Sequence, residues 1–148
     1  MALRFAILLV MLAGPAAGLE TVATIAGHAT VKDGDGILFG NVEIRLQGIA
    51  APEQSQFPVG PDSTDNLARI IAGHDKIWCA LDGSTANRRP VGVCFVDGRD
   101  VGEMQVRSGH ARDCPHFSGG RYLAAEQDAI AHGLDLSRAY PLPGYCER

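Results

Sequence analysis

An α+β fold rich in β-structure, one five-stranded barrel carrying about three helices, is what residues 21–133 predict, and three observations carry that reading. Apolar and polar residues alternate in short runs between Gly-containing turns, as at Val42-Glu43-Ile44-Arg45-Leu46. A helical segment follows the first three runs, and two more runs and then two more helices follow it. At 148 residues the chain is long enough for one hydrophobic core and too short for two. Three consecutive strands, a helix and a strand pair form the element order of a small Greek-key barrel of the OB type.

Each element has its own signal. Residues 21–32 are mostly small, β-branched or apolar and end at Asp33-Gly34-Asp35-Gly36, which reads as one strand closed by a hairpin turn. Ile37-Leu38-Phe39, the turn Gly40-Asn41 and Val42 to Leu46 give the next two strands of a meander. The last of these puts Val42, Ile44 and Leu46 on one face and Glu43 and Arg45 on the other. Pro52 stops it, since proline lacks the donor that a ladder needs. Asp62 or Ser63 caps a helix with Leu67, Ile70 and Ile71 at helical spacing, and Gly73 ends it. Residues 76–81 and 90–96 are strands four and five around a polar loop at 82–88, with Trp78 a core residue of strand four. Asp100, followed three residues later by Glu103, caps a helix through Arg107 that Gly109 stops. A third helix runs over residues 122–132, and residues 134–148, with Pro141, Pro143 and Gly144, form a tail without an element.

The N-terminus sets the compartment. Met1-Ala2-Leu3-Arg4, an apolar run over residues 5–13 and small residues to Gly18 read as a secretory signal peptide over residues 1–18. The run is shorter than the roughly 20 apolar residues of a membrane-spanning helix. The mature protein is therefore expected to be exported, periplasmic or secreted, without an integral membrane segment. Four cysteines, none at metal-ligand spacing, then suit disulfides. Cys79 and Cys94 lie in the two strands around the 82–88 loop and suit a cross-strand bridge, which leaves Cys114 and Cys146 to tie the tail to the body. The five histidines share no metal spacing and read as structural or surface residues. With 13 Lys and Arg against 17 Asp and Glu the net charge is −4, and loss of Arg4 with the signal peptide makes it −5. That balance argues against an extended nucleic-acid-gripping surface and leaves room for a local cationic pocket.

Three motifs in order, Val31-Lys32-Asp33-Gly34-Asp35, Ile44-Arg45-Leu46-Gln47-Gly48-Ile49 with Pro52-Glu53, and Arg89-Pro90-Val91-Gly92-Val93-Cys94, together resemble the staphylococcal nuclease, or thermonuclease-like, family. Val106-Arg107-Ser108-Gly109-His110-Ala111 and Gly119-Gly120-Arg121-Tyr122 extend the likeness, which covers about residues 23–133. The resemblance implies an OB barrel with three helices and calcium-dependent cleavage of DNA and RNA. It implies that Asp35 ligates Ca2+ or another divalent metal, with Asp33 supporting. Arg45 would bind phosphate, Glu53 would act as general base on water, and Arg89 would stabilise charge developing on phosphate. Each role suits its residue type: oxygen ligands for a hard cation, guanidinium forks for phosphoryl oxygens, a carboxylate for a water proton.

The chain departs from that pattern at Ala50, where the family carries a metal-ligating aspartate, and at Gly36, where it usually carries threonine. Ala86 and Asn87 stand where some members place tyrosine and lysine. The functional expectation is thus an exported, monomeric phosphodiesterase acting on single-stranded DNA or RNA, impaired at its metal site. The alternative is a non-catalytic OB module binding a nucleotide, an oligonucleotide or a protein partner.

Overall fold

The computed structural model describes residues 20–147, so the signal peptide read at residues 1–18 lies outside the described residues. The fold is mixed α+β and β-rich. Its main sheet runs in the order β1 (Ala23–Gly27), β6 (Ile77–Ala86), β7 (Arg89–Val96), β4 (Val42–Leu46), β3 (Gly36–Phe39), β2 (Thr30–Asp33), with β8 (Arg99–Asp100) also on β7. A second, two-stranded sheet pairs β5 (Ile49–Ala50) with β9 (Arg112–Asp113). All pairs are antiparallel except β4 with β7, which joins the meander to the later strand pair.

Two strand expectations are corrected. The single strand expected over residues 21–32 is two strands, because the chain turns at Gly27 (φ 153°) and its halves take different neighbours. β1 pairs with β6, so only β2, β3 and β4 form the meander. The polar loop expected at 82–88 is mostly strand: β6 continues to Ala86 past an irregularity between Leu81 and Thr85, and Asn87 and Arg88 alone make the turn, both at positive φ. The path ends at β1 and β2, and no pairing between them closes it among the described residues.

The alternation read in β4 is present: Ile44 and Leu46 are buried while Glu43 and Arg45 face the other side. Ile44, Leu46, Ile37, Ile49, Ile77 and Val96 meet Leu67, Val101, Val106 and Tyr122 from the helices in one core. Each such aliphatic side chain, removed from water, contributes about 2 kcal/mol. Trp78 is not in that core. It lies on the outer face of β6, more than a third exposed and stacked on Phe95 at 4.4 Å, because its neighbours Ile77 and Cys79 take the inward positions.

Helix α1 (Val59–Ile71) starts a turn earlier than expected, and neither Asp62 nor Ser63 caps it. Ser63 is fully buried instead, its hydroxyl donating to the His110 carbonyl at 2.6 Å. Helix α2 (Val101–Arg107) begins as read, with the Asp100 carboxylate accepting the Glu103 N–H at 3.1 Å. A short α3 (Pro115–Ser118) precedes α4 (Leu123–Ala131), the expected third helix less a residue at each end. Disulfides join Cys79 to Cys94, direct partners across β6 and β7, and Cys114 to Cys146. The second bridge docks the tail, where Gly144–Cys146 forms a 3-10 turn and Tyr140 and Cys146 pack with Ala50. The disulfides suit an oxidising compartment, and among the described residues no helix is long and apolar enough to cross a membrane.

Candidate functional site

Three segments converge beside β4: the acidic β2–β3 turn with Asp33 and Asp35, Arg45 on the polar face of β4, and the chain leaving β5 through Ala51 and Pro52 to Glu53. Arg45 Nη2 lies 2.9 Å from Asp35 Oδ2 and also donates to the Ile49 carbonyl at 3.0 Å. The Ala51 N–H donates to the same Asp35 oxygen at 3.2 Å. Asp33 supports the turn by accepting the Asp35 N–H on Oδ1 at 3.3 Å. Asp35 is thus a buried carboxylate held from two sides, and burial is the larger influence on its proton. Desolvation pushes its pKa up to about 7, with Arg45 pulling down, Asp33 pushing up, and the Ala51 N–H and Arg89 pulling down.

Arg89 starts β7 in the same electrostatic neighbourhood. Its Nη1 donates to Glu43 Oε1 at 2.9 Å and its Nε to the Ala86 carbonyl at 3.1 Å. Glu43 shares the polar face of β4 with Arg45, so the two guanidiniums flank one strand, each paired to a carboxylate. Arg88 sits exposed in the turn at φ 67° and takes no part in that pairing. Glu53 is exposed, and its carboxylate makes no hydrogen bond or ion pair with any described residue; its backbone is engaged with Gln56, the N–H donating to Gln56 Oε1 at 2.7 Å and the carbonyl accepting the Gln56 N–H at 2.9 Å. Its loop is pinned by Gly60, where a Cβ would collide with the Glu53 carbonyl.

The acidic turn is held from below by residues that the motifs did not reveal. Gln105, fully buried in α2, donates from Nε2 to the carbonyls of Gly34 at 3.1 Å and Ser63 at 2.8 Å, and accepts from Asn66 at 2.8 Å. A Cβ on Gly34 would collide with Ser63 Oγ and stand 2.8 Å from the Ala51 Cβ, so the turn needs glycine there for close approach. The available signal was position: Gln105 lies one turn after Val101, on the apolar face of its helix, where a polar residue must find partners. Glu43, read only as a polar-face residue of β4, is the carboxylate that pairs with Arg89.

The residues do not fit calcium or another hard divalent cation. Calcium takes about six to eight oxygen ligands. Here one Asp35 oxygen serves Arg45 and Ala51, and an Asp33 oxygen serves a backbone N–H. Ala50 is fully buried in an apolar patch with Cys114, Tyr140 and Cys146, flanked by Leu136 and Leu142. Among the described residues no three His, Cys, Asp or Glu side chains group as a metal holder. What the arrangement offers chemically is two guanidiniums for an anion, one carboxyl that exchanges its proton near neutrality and one free carboxylate at the rim. A cleft of about 360 Å³ beside the end of α1 contains none of these groups.

No family model matches the chain. It is similar to the succinoglycan biosynthesis protein ExoI of Rhizobium meliloti (strain 1021), with 32% identity over 127 residues. The match covers 79% of this chain and 66%, just under two thirds, of that protein.

Proposed function

We propose that this is an exported, thermonuclease-like phosphodiesterase domain acting on single-stranded nucleic acid, its sheet an OB-type barrel, with the scissile phosphate bound between Arg45 and Arg89. The β2–β3–β4 meander, the helix after β5 and the returning β6–β7 pair support the barrel reading. One observation carries the functional reading: Arg45 is paired with the buried Asp35, which also feels the charge of Arg89, and the chain that binds Asp35 through Ala51 carries the exposed carboxylate of Glu53 two residues on.

In this reading the phosphate displaces Asp35 from Arg45 and Glu43 from Arg89. Glu53 takes a proton from water as the water oxygen bonds to phosphorus. The ester P–O bond breaks, its electron pair leaving with the departing oxygen, which takes a proton from solvent. Negative charge growing on the phosphoryl oxygens is met by the two guanidiniums. The name of the similar protein gives a process, succinoglycan biosynthesis, and succinoglycan is therefore a useful competitor in the test.

A second reading, anion binding without cleavage, draws on the apolar packing of Ala50 and the unfit metal donors. One experiment separates the two. Purified mature protein is incubated with labelled single-stranded DNA or RNA in chelator, calcium or manganese, beside Glu53→Gln. Cleavage reduced on the order of a hundredfold by the variant is expected for a general base. Absence of cleavage, or equal cleavage by the variant, sinks the hydrolytic reading, and retained binding then leaves the second.

A further inference from the structure

Ala50 lies between the two residues that fasten the Arg45–Asp35 pair: Ile49 gives its carbonyl to Arg45, and Ala51 gives its N–H to Asp35. The group packed on Ala50 comes from the tail. Tyr140 and Cys146 lie against it, and the bridge from Cys146 to Cys114 fixes them there. The Arg112 Nη1 donates to the Tyr140 carbonyl at 3.4 Å, a second tie to the β5–β9 sheet.

The two ends of the Tyr140 side chain are placed differently. The residue is buried, 7% exposed. Its hydroxyl has no hydrogen-bond partner among the described residues, yet the sealed side-chain atoms without a partner are Gln47 Oε1 and Asp113 Oδ1. The hydroxyl is therefore reached by solvent. Burial raises its pKa well above the ordinary phenol range, with Tyr145 and Asp35 raising it further, Arg45 opposing and Glu53 raising it again. Tyr140 packs on Ala50, directly between the residues that bind Arg45 and Asp35, so its solvent-reached hydroxyl lies beside that pair, and it is a neutral donor at any physiological pH.

We propose that Tyr140 is a further binding residue of this site, its hydroxyl donating to the phosphodiester anion held by Arg45, and that the Cys114–Cys146 bridge positions it. The inference rests on the anion-binding part of the function proposed above and is independent of cleavage. The Tyr140 hydroxyl, held by its packed ring and without a protein acceptor among the described residues, is free to donate to an incoming anion. The tail is then a wall of the site, a role absent from the motifs that point to Arg45, Glu53 and Arg89.

The test is fluorescence anisotropy of a labelled single-stranded oligothymidylate with the full mature protein in chelator, together with thermal unfolding of each variant. Tyr140→Phe removes the hydroxyl alone and is expected to weaken binding about tenfold, one hydrogen bond to a charged acceptor, with the unfolding midpoint unchanged. Cys114→Ser with Cys146→Ser is expected to weaken binding at least as much, and adding Tyr140→Phe to it to cost nothing further, because the positioning is already lost. Wild-type affinity in Tyr140→Phe with binding lost in Arg45→Ala overturns the role of the tail and leaves the anion site standing. Failure of the wild type to bind, or Arg45→Ala binding as wild type, overturns the anion site and this inference with it. Additive losses in the triple variant overturn the positioning by the bridge.

Discussion

The two disulfides close loops of different length around different structure. Chain entropy alone ranks the Cys114–Cys146 bridge, spanning 32 residues, above Cys79–Cys94, spanning 15. The packing reverses the ranking. Cys79 and Cys94 are fully buried in the core, inside the long β6–β7 ladder, so changing them disturbs the whole fold. Cys114 and Cys146 hold a segment that is otherwise attached beyond Leu134 by a small apolar patch, a Phe117–Tyr145 ring contact and a long Arg112 hydrogen bond, so losing them frees the tail while the sheet stays folded. The same bond is a core staple in one place and a local latch in the other.

The sharpest way to break that contrast is to charge the patch under the latch. Ala50→Asp puts a carboxylate among Tyr140, Cys114 and Cys146 and is expected to cost about 4 kcal/mol in denaturant unfolding, with no midpoint gain on adding calcium. A calcium-dependent gain would mean that the patch is a metal position in waiting. Cys79→Ala with Cys94→Ala comes next, at about 3 kcal/mol of global stability. On the tail side, Asp35 makes stability depend on pH. The folded protein keeps the Asp35 proton to about pH 7, whereas the unfolded carboxyl releases it near 3.8. Its stabilising contribution is whole below the unfolded value and is lost as pH rises through about 7. Stability should therefore fall by about 2 kcal/mol between about pH 5 and about pH 8, a slope that Asp35→Asn removes. Anion affinity should rise over the same interval as pH falls, since a protonated Asp35 leaves the charge of Arg45 unopposed. Cys114→Ser with Cys146→Ser is expected to cost only about 1.5 kcal/mol globally, while limited trypsin treatment cuts first at the exposed Arg138. Early cutting within the sheet would contradict the latch. Smallest is Trp78→Ala, about 1 kcal/mol, the worth of its stack on Phe95 at an exposed face.

Local chemistry made much of this legible. The alternation in β4 gives its buried face, the Asp100 and Glu103 pair gives the start of α2, and cysteines in two neighbouring strands give the first bridge. Arg45 and Asp35 do meet, brought together by the register of the β3–β4 hairpin. The illegible parts are decided by tertiary packing. Nothing in residues 21–32 says that the halves of one apolar run will serve opposite ends of a sheet path. Ser63 has the sequence of a cap but is drawn inward by the carbonyl of His110. Tyr140, in a stretch without periodicity, acquires its role solely by docking on Ala50. Trp78 was misplaced because composition alone puts tryptophan inside, whereas strand parity puts this one outside.

The anchoring of the acidic turn by Gln105 also fixes when the site can come into existence. The Gly34 carbonyl waits 71 residues along the chain for its donor. In a polypeptide that emerges from its N-terminus, Asp33 and Asp35 are among the first of these groups to appear, and Arg45 and the Ala51 N–H can reach Asp35 early, yet the carbonyl of Gly34 has no donor until α2 follows. The wall formed by Tyr140 and its bridge follows later still. A fragment ending before α2 would therefore carry the acidic turn with Arg45 and Ala51 bound to it, but lack both the Gln105 bond beneath the turn and the tail beside Ala50.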